Sequence, residues 1–525
     1  MKRLLLSMLA ASTLAAAPAM AQAPGRTLTI AFGDPVSSMD PQLNNHAGDR
    51  SVDLHFFDLL VENRWNKLQP GLAESWRNLD DTTWEFKLRR GVKWHDGKEF
   101  TADDVLFSYK RAPNVPGSVA TFAGYLRTIA SVEAPDPYTL RIKTKAPNPN
   151  LPLNLASVHI VSRHAGDGAT TEDYNSGKAM VGTGPFRFVS YTPGDRVIMR
   201  RNDDYWGDKP IWSNVNYRYV ANPTARTAAL LAGDVDVIDK VSVADAGRLK
   251  TAANVTLFNH PGLRVLIFQP SFAKGPNKYA TDAQGKPLPE NPLLDRRVRE
   301  ALSVAINRQA IVDRVMQGTA VAAGQWMPEG TFGYNPAVKM PAFDTEKAKK
   351  LLAEAGFPNG FHLTIHLPID RYIGAPETAQ AVAQMWTRAG VRTAVETLPW
   401  AVYSSRVHKE EFAMTMIGWG NGTGEGSYAL VNILGSVDAK QGRGASNWGH
   451  YANPEVDKAL DDATAAFDDA RREEILRRSV QVVADDVGII PLFHYNNIWA
   501  ARKGLTVTPM TSDRTAAVMV TIDKQ

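Results

Sequence analysis

The sequence predicts an α/β protein divided into two or three lobes, on three observations. Helix patterns and strand patterns alternate along the chain, most regularly in its second half, which is typical of a mostly parallel sheet covered by helices. The 525 residues exceed the roughly 250–300 residues at which one hydrophobic core stops growing. The composition, 44% hydrophobic and 22% charged, is that of an ordinary globular chain and excludes a disordered, collagenous or coiled-coil protein.

Residues 1–21 have the pattern of a signal peptide and are left out of the predicted fold. Two basic residues precede an apolar run over residues 4–17, and Ala19 and Ala21 place small side chains where signal peptidase requires them. The apolar run is shorter than the roughly 20 residues of a membrane span. We therefore expect cleavage after Ala21 and export, most simply to a periplasm.

The charge balance and the absence of cysteine exclude several classes of function. The 59 basic and 55 acidic residues give a formal net charge of +4 without a basic stripe, so we expect no nucleic-acid partner. A chain without cysteine has no disulfide, no cysteine nucleophile and no thioether lipid anchor. The mature protein is therefore predicted to be a soluble periplasmic monomer that is not anchored by lipid.

The first half of the chain predicts strands followed by a capped helix. Residues 27–32 are a short β-branched strand. Every second residue from 84 to 88 is apolar, which places these side chains on one face of another strand. Thr101 and Asp104 have the spacing of a capping box, so a helix is expected to begin there.

The middle of the chain continues the same alternation. Residues 181–206 predict two strands joined by a turn at Pro193 and Gly194. Residues 225–232 predict a helix that Gly233 ends, with a buried strand after it.

The second half repeats a rhythm of strand and helix. An apolar stripe from Val298 to Ile306 predicts one long helix that ends near Gly318, and Asp344 is predicted to cap the next helix. The elements expected after it are strands at 362–367, 392–398, 413–419 and 488–495 and helices at 379–389, from 454 and from 468.

The short motifs that carry chemistry are weak or incomplete. Ser271 and Lys274 have the Ser-x-x-Lys spacing of penicillin-recognising acyl-transferases, but the flanking Pro270 and Gly275 disfavour the helix that this chemistry needs. The glycine-rich segment 420–426 matches neither a dinucleotide fingerprint nor a Walker loop, and the eleven histidines show no metal-binding spacing. We predict no catalytic residue, no metal and no cofactor, and keep a secreted serine hydrolase as an alternative of another class.

Longer blocks of sequence carry a more specific signal. In the expected order along essentially the whole mature chain, they resemble family 5 of the solute-binding proteins of ABC transporters, the dipeptide, oligopeptide and nickel group. The blocks are residues 72–111, 181–206, 293–313 and 343–361, and the strand end at Gly418 and Trp419.

The resemblance implies a two-lobed clamp, the large three-domain form of the type II periplasmic-binding-protein fold, with a hinge between the lobes. The implied segments are 22–60, 178–262 and 493–525 for the core of lobe I, 61–177 for a domain inserted in lobe I, and 263–492 for lobe II. Two chain crossings, near residues 259–262 and 491–493, would form the hinge.

The resemblance also implies capture of a solute instead of catalysis. Such a receptor binds a dipeptide, an oligopeptide or a glutathione-type ligand between its lobes and delivers it to the permease in the inner membrane. A non-peptide solute, such as an opine, a glycoside or chelated nickel, stays open as an alternative, because one fold hosts several ligands.

The implied ligand site centres on Trp419, whose flat ring suits a ligand or, equally, a protein core. In relatives an acid three residues after this tryptophan pairs with the peptide ammonium. Here that position is Gly422, and the nearest carboxylate is Glu425. Either Glu425 takes over the amine, or the ligand is not held by a simple α-ammonium.

The segment from Trp419 to Glu425 is similar to the glutathione-binding branch, whose γ-glutamyl ligand carries an extra carboxylate. Arg371, in the loop after the strand at 362–367, is the first candidate for that carboxylate, since a guanidinium matches it with two hydrogen bonds. A solvated loop arginine is the alternative. The other predicted ligand-binding residues are Tyr372 beside Arg371, Asn421 and Thr423 in the glycine-rich loop, and Ser38 and Met39 after the first strand.

Overall fold

The computed structural model of the chain describes residues 26–64, 67–369 and 371–523. The predicted signal peptide, residues 1–21, and the predicted cleavage after Ala21 lie outside these residues. No helix within the described ranges is long and apolar enough to cross a membrane.

The strands form the framework of the protein. They are β1 Thr27–Phe32, β2 Val61–Arg64, β3 Lys67–Pro70, β4 Ala73–Asp80, β5 Thr83–Leu88, β6 Ile129–Asp136, β7 Thr139–Thr144, β8 Phe186–Thr192, β9 Arg196–Arg201, β10 Asn214–Tyr219, β11 Val237–Ile238, β12 Val255–Pro270, β13 Ala280–Thr281, β14 Ala320–Ala322, β15 Phe361–Pro368, β16 Val391–Leu398, β17 Met414–Gly420, β18 Ile490–Arg502, β19 Leu505–Val507 and β20 Val520–Ile522.

The helices cover the faces of the sheets. They are α1 Ala47–Phe56, α2 Ala102–Arg111, α3 Ala123–Leu126, α4 Leu151–Leu155, α5 Arg163–Gly166, α6 Thr171–Asn175, α7 Pro223–Ala232, α8 Val243–Lys250, α9 Arg296–Val304, α10 Arg308–Arg314, α11 Thr345–Glu354, α12 Ala375–Arg388, α13 Trp400–Val407, α14 Gly426–Ala429, α15 Pro454–Ala465 and α16 Asp469–Asp486.

One large mixed sheet contains most of the strands. Its order is β13-β15-β17-β12-β18-β11-β1-β10-β9-β8, with β14 beside β18 and β16 beside β15. Among the described strands of this sheet, β1–β10, β1–β11, β15–β16 and β15–β17 are parallel pairs, and the others are antiparallel. The prediction of a mostly parallel sheet was therefore wrong. An alternation of helix and strand does not record strand direction, and β8, β9 and β10 follow one another as antiparallel neighbours.

Two long strands, β12 and β18, pass through both halves of this sheet. Residues 255–261 of β12 pair with residues 496–502 of β18, and residues 265–268 pair with residues 490–494. The register shifts between these two stretches and again between Leu266 and Ile267. The lobes are thus joined by a hydrogen-bonded pair of strands with an irregularity in the middle.

Both predicted hinge segments lie at a register shift. Residues 259–262 end at the first shift, and residues 491–493 lie opposite the second, where Leu266 pairs with Phe493 and Ile267 with Pro491. Both hinge positions stay predictions.

The hydrophobic side chains form separate cores. One core surrounds β1, β9, β10 and residues 516–520, a second lies beneath β5 and β7, and two more cover the two faces of β12, β15 and β17. Val161 and Tyr174 pack in the first of these cores, although the predicted inserted domain extends to residue 177. The predicted domain boundaries stay predictions.

Residues 61–177, the predicted inserted domain and below called the inserted segment, contain a four-stranded antiparallel sheet in the order β4-β5-β7-β6. Trp84, Phe86 and Leu88 all face its core, which confirms the predicted alternation. Thr101 N donates to Asp104 Oδ2 at 3.0 Å at the start of α2, so the predicted helix start is confirmed as well.

The long helix predicted to end near Gly318 is two helices, α9 and α10, and that prediction was wrong. Asn307 Oδ1 accepts a hydrogen bond from Ala310 N at 2.9 Å and begins α10. The guanidinium of Arg308 then donates to the carbonyl of Pro491 at 2.7 Å. The apolar residues keep helical spacing across the break between α9 and α10, because the polar N-cap residue Asn307 does not interrupt that spacing. The spacing alone therefore did not reveal that one helix ends and another begins.

Other helix ends are confirmed as predicted. Gly233 adopts a φ of 85° directly after α7, a conformation that glycine adopts without strain. Asp344 Oδ1 accepts from Lys347 N at 2.8 Å and caps α11. The Pro193-Gly194 segment joins β8 to β9 as a turn.

Candidate ligand-binding site

Trp419 lies at the end of β17, opposite Val265 of β12. Its side chain is half-buried, and its ring centroid lies 5.7 Å from that of Tyr428. The indole Nε1 is buried without a hydrogen-bond partner among the described residues. Trp419 thus packs against the core of lobe II and also carries an unused donor, and its role towards a ligand stays a prediction.

The backbone beside Trp419 is tightly packed. A Cβ on Gly418 would lie 2.6 Å from Cδ1 of Tyr372, so only glycine lets this ring approach the strand. Arg264 of β12 donates to the carbonyl of Gly418 at 3.2 Å. The structure therefore brings the predicted residue Tyr372 against the end of β17.

The glycine-rich loop is organised by Asn421. Its Oδ1 accepts from Thr423 N at 3.2 Å and from Gly424 N at 3.0 Å, and its Nδ2 donates to the carbonyl of Glu425 at 2.9 Å. The Thr423 carbonyl accepts from Asn63 Nδ2 at 2.8 Å. Asn421 and Thr423 hold the loop and join it to the inserted segment.

Glu425 is buried and lies at a contact between lobes. Its Oε2 accepts from the hydroxyl of Ser427, while its Oε1 has no partner among the described residues. Burial raises the pKa of the Glu425 carboxyl, and the nearby Arg472 and the Ser427 hydrogen bonds offset this only in part. Asn150 of the inserted segment donates to Ser427 Oγ at 3.2 Å and accepts from Arg472 Nη1 at 2.6 Å.

The position of the acid found in relatives is open space. A Cβ on Gly422 would meet only Tyr428, whose hydroxyl oxygen lies 3.8 Å away. A glycine here offers no carboxylate to an ammonium, and the role of Glu425 as its replacement stays a prediction.

Arg371 is exposed in the loop after β15. Its Cζ lies 3.9 Å from the centre of the Trp400 ring, and it forms no ion pair with a described carboxylate. Stacking on Trp400 leaves the guanidinium edge free for a carboxylate. The predicted role of Arg371 is compatible with this position and stays a prediction.

Ser38 and Met39 are inside lobe I. The Ser38 hydroxyl donates to Asn175 Oδ1 at 3.0 Å and accepts from Asp40 N at 2.9 Å. Met39 N donates to the same Asn175 oxygen at 2.9 Å, and the Met39 side chain packs in the core. Both residues use their polar groups within the protein, and their predicted contact with a ligand stays a prediction.

A group of polar residues that the sequence did not single out lies in lobe I: Asn45, Arg50, Asp53, Tyr125 and Arg514, here called the lobe I polar cluster. Arg50 Nη1 donates to Asn45 Oδ1 at 2.7 Å, and Asn45 Nδ2 donates to the Tyr125 hydroxyl at 3.2 Å. Arg50 Nε and Nη2 and both carboxylate oxygens of Asp53 are buried without a partner among the described residues.

The cluster extends towards lobe II. Thr515, next to Arg514, donates through its N–H to Ser51 Oγ, next to Arg50, at 3.4 Å. Burial, then the charge of Arg50, lowers the pKa of Arg514 to about 9. Tyr125 is near enough to Tyr428 to add to the effect of burial in raising the pKa of the Tyr428 hydroxyl. A Cβ on Gly442 of lobe II would lie 3.1 Å from Nη1 of Arg127, directly after α3, so the end of the cluster that carries Tyr125 faces lobe II.

Sequence reasoning missed this cluster because its signal is weak. Asp49, Arg50 and Asp53 lie on a ten-residue helix, α1, where charged residues usually face water. All three are at most 6% exposed. Only the burial of α1 between segments distant in sequence reveals them.

Substitution of Asp53 tests the electrostatics of the ligand-free cluster. Burial, with smaller contributions from Asp49 and Asp40, raises the pKa of the Asp53 carboxyl well above 3.8, and Arg50 and Arg514 offset this only in part. An unfolded aspartate ionises near 3.8, so the raised pKa makes stability fall as pH rises above that value. We expect Asp53→Asn to stabilise the ligand-free protein at pH 7 by about 1 kcal/mol, with the gain shrinking towards pH 4. Thermal unfolding at both pH values measures this, and an equal gain at both would contradict it.

Ser271 and Lys274, the residues of the alternative chemistry, do not lie on a helix, since residues 271–274 have no regular secondary structure. Ser271 Oγ accepts from Ala273 N at 3.3 Å, within its own loop. Within 26–64, 67–369 and 371–523, no group of three or more histidine, aspartate or glutamate side chains is arranged to hold a metal ion.

Comparison with known protein sequences points to one group. The family model described as bacterial extracellular solute-binding proteins, family 5 Middle, matches residues 67–441. The chain is 29% identical over 470 residues to the dipeptide-binding protein of Escherichia coli strain K12, covering 84% of each chain. It is 30% identical over 453 residues to heme-binding protein A of Haemophilus influenzae, covering 81% of this chain and 79% of that protein.

Solved structures give the same fold. HbpA2 from Haemophilus parasuis matches with a TM-score of 0.83 and 27% identity, over 95% of this chain and 100% of that one. DppA from Helicobacter pylori in complex with the peptide STSA matches with a TM-score of 0.71 and 25% identity, over 95% and 98%. The predicted α/β clamp of two lobes is confirmed.

Proposed function

Since the chain belongs to family 5 of the bacterial extracellular solute-binding proteins, we propose that it is the solute receptor of an ABC importer and binds a peptide or peptide-like ligand between its lobes. The similarity to dipeptide-binding and di/tripeptide-binding proteins over more than four fifths of the chain carries this proposal. Members of the family are binding proteins and not enzymes. For this chain we propose a periplasmic monomer that delivers its ligand to a permease.

The mechanism follows from how the lobes are joined. β12 and β18 connect them as one hydrogen-bonded pair, so opening and closing need only a change near the register shift. A ligand favours the closed form only through contacts that the open form lacks. Contacts such as Asn63 to Thr423 and Asn150 to Ser427 show which surfaces of the two lobes can meet.

On lobe II, the proposed ligand-binding surface, here called the wall on lobe II, is formed by the end of β17. Trp419 offers a half-exposed ring and an unused N–H, and Tyr372 stands beside it against Gly418. We propose that both contact the ligand directly. Asn421, Thr423 and Glu425 contribute by fixing the loop behind them.

A non-peptide ligand is the second candidate. A relative named for heme is as similar to this chain as the relative named for dipeptides, so the fold alone does not decide between them.

A thermal-shift screen tests the proposed function. Dipeptides, tripeptides, glutathione, opines, heme and chelated nickel are added in turn to the purified protein. A ligand present at 100 times its Kd stabilises the folded state by about 2.7 kcal/mol. Stabilisation by peptides supports the proposal. Stabilisation by heme or a chelate alone contradicts the assignment of a peptide ligand but still supports a role as a solute receptor.

Trp419→Ala tests the wall on lobe II. We expect the affinity for the ligand to fall by at least about 30-fold, because a stacked aromatic side chain at the centre of an interface contributes about 2 kcal/mol or more. Trp419→Phe, which keeps a ring, is expected to lose much less. Calorimetric titration measures both variants. Unchanged affinity in Trp419→Ala, or unfolding of that variant, would show that the side chain serves the core.

A further inference from the structure

We propose that the lobe I polar cluster is a carboxylate-recognition site, in which Arg50 and Arg514 bind a carboxylate group of the ligand. This inference rests on the proposed function and extends it by naming the chemical group that lobe I recognises. It differs from the sequence prediction, which placed this role on Arg371 of lobe II.

Arg50 has unused hydrogen-bonding capacity. The residue is 6% exposed, and only its Nη1 has a partner, the side chain of Asn45. Its Nε and Nη2 are buried without one among the described residues. Buried donors of a charged group are costly when they stay unpaired, so a partner supplied by the ligand explains why they are kept.

The cluster does not neutralise itself. Asp53 is 1% exposed, yet neither of its oxygens forms a hydrogen bond or an ion pair with Arg50, Arg514 or another described residue. In a structural ion pair the charged atoms would be in direct contact, as Arg111 Nη2 and Asp40 Oδ2 are at 2.6 Å. No Asp53 oxygen therefore occupies the unpaired Nε and Nη2 of Arg50.

The neighbours of Arg50 fix its orientation. Asn45 holds Nη1 of Arg50 and is itself held by the Tyr125 hydroxyl, which leaves the Nε and Nη2 edge of the guanidinium free. This edge presents two parallel N–H groups, which match the two oxygens of a carboxylate. Ser51 Oγ accepts from Thr515 N at 3.4 Å and so joins the neighbour of Arg514 to the same helix.

The cluster also lies in the right place for a ligand held between the lobes. Tyr125 lies on α3, and the end of this helix faces lobe II, because a Cβ on Gly442 would lie 3.1 Å from Nη1 of Arg127. The Tyr125 hydroxyl contributes to the raised pKa of Tyr428, whose ring centroid lies 5.7 Å from that of Trp419. A ligand that contacts Trp419 from lobe II therefore has the lobe I polar cluster on its opposite side. A ligand whose carboxylate is bound there would contact both lobes at once and so favour the closed form.

The test compares ligands that differ in one carboxylate. Alanyl-phenylalanine and glutathione are titrated by calorimetry as free acids and as C-terminal amides, with succinate as a non-peptide carboxylate. The proteins are the wild type, Arg50→Gln, Arg514→Gln and Arg371→Gln. Arg478→Gln, whose side chain is 80% exposed, controls for the loss of one positive charge, and thermal unfolding checks that each variant is folded.

We expect Arg50→Gln and Arg514→Gln each to weaken binding of the free acids by about 10- to 100-fold, with no change in Arg478→Gln. If amidation of alanyl-phenylalanine causes a similar loss, the C-terminal carboxylate is the bound group. If the amide of glutathione still binds and still depends on Arg50, the γ-glutamyl carboxylate is the bound group.

Other results would overturn the inference. Full affinity of both peptides in Arg50→Gln and Arg514→Gln contradicts it while leaving the peptide receptor in place, whether or not amidation changes binding to the wild type. A loss confined to Arg371→Gln moves the carboxylate to lobe II. If no peptide binds, the proposed function fails; succinate binding that Arg50→Gln abolishes would then still support the carboxylate site, and its absence would overturn both.

Discussion

Arg299→Ala is expected to lower the free energy of unfolding by about 3–5 kcal/mol, the usual cost of breaking a buried charged network from one side. The guanidinium of Arg299 donates through Nε to the carbonyl of Val487 at 3.1 Å and through Nη1 to those of Leu293 and Leu294, both at 2.9 Å. Its Nη2 pairs with Asp486 Oδ1 at 2.6 Å. One side chain therefore ties the start of α9 to the end of α16, and its removal leaves several buried carbonyls without donors.

Two further variants distinguish the effect of losing these hydrogen bonds from the effect of losing one positive charge. Arg299→Lys keeps the ion pair with Asp486 but lacks the planar guanidinium that donates to several carbonyl groups at once. We therefore expect an intermediate loss of unfolding free energy. Arg297→Ala, on the same helix with a side chain 48% exposed, is expected to cost less than about 1 kcal/mol. Urea unfolding followed by tryptophan fluorescence measures all three. Equal costs for Arg299→Ala and Arg297→Ala would contradict the role of the network.

Gly182→Ala is expected to destabilise the protein by at least about 3 kcal/mol or to prevent its folding. A Cβ at this position would lie 1.7 Å from the carbonyl oxygen of Phe56, at the end of α1. The backbone is packed in the protein interior at both residues, so neither can turn aside. Because α1 also carries Arg50 and Asp53, any displacement that does accommodate the methyl group should weaken ligand binding as well.

Gly247→Ala is the matched control. Gly247 lies in α8, and the nearest heavy atom to the position that an added Cβ would take is Gln317 Oε1 at 4.0 Å. Alanine is the better helix former, so we expect no loss and a gain of up to about 1 kcal/mol. Melting curves of the two variants give the comparison. A Gly182→Ala protein as stable as Gly247→Ala would show that the α1 end is not fixed in place.

Local sequence patterns predicted the local structure well. The alternation at Trp84, Phe86 and Leu88, the start of α2 at Thr101 and the end of α7 at Gly233 all depend on neighbours within a few residues. The family blocks added the clamp fold, which no short pattern contains. Strand direction and the break before α10 were missed, because hydrophobic period carries no information on either.

The candidate site was predictable only where it follows the chain. Trp419 and Tyr372 were found from a strand end and its neighbouring loop, and the structure brings them together through Gly418. The lobe I polar cluster joins residues from α1, α3 and the segment before β20. A charged residue on a short helix gives no sign that it will be buried, so Arg50 and Asp53 could not be recognised before the fold was known.

The late position of β18 in the chain has a consequence for the order of folding. β11, which neighbours β1, pairs with β18 on its other side, and the side chains of Trp212 and Tyr217 donate to the carbonyls of Val520 and Thr515, both at 2.7 Å. The lobe that contains β1 therefore lacks these contacts until residues 500–520 have been synthesised. Folding of this lobe therefore waits for a strand that is distant in sequence, and its core cannot be completed by the preceding residues alone.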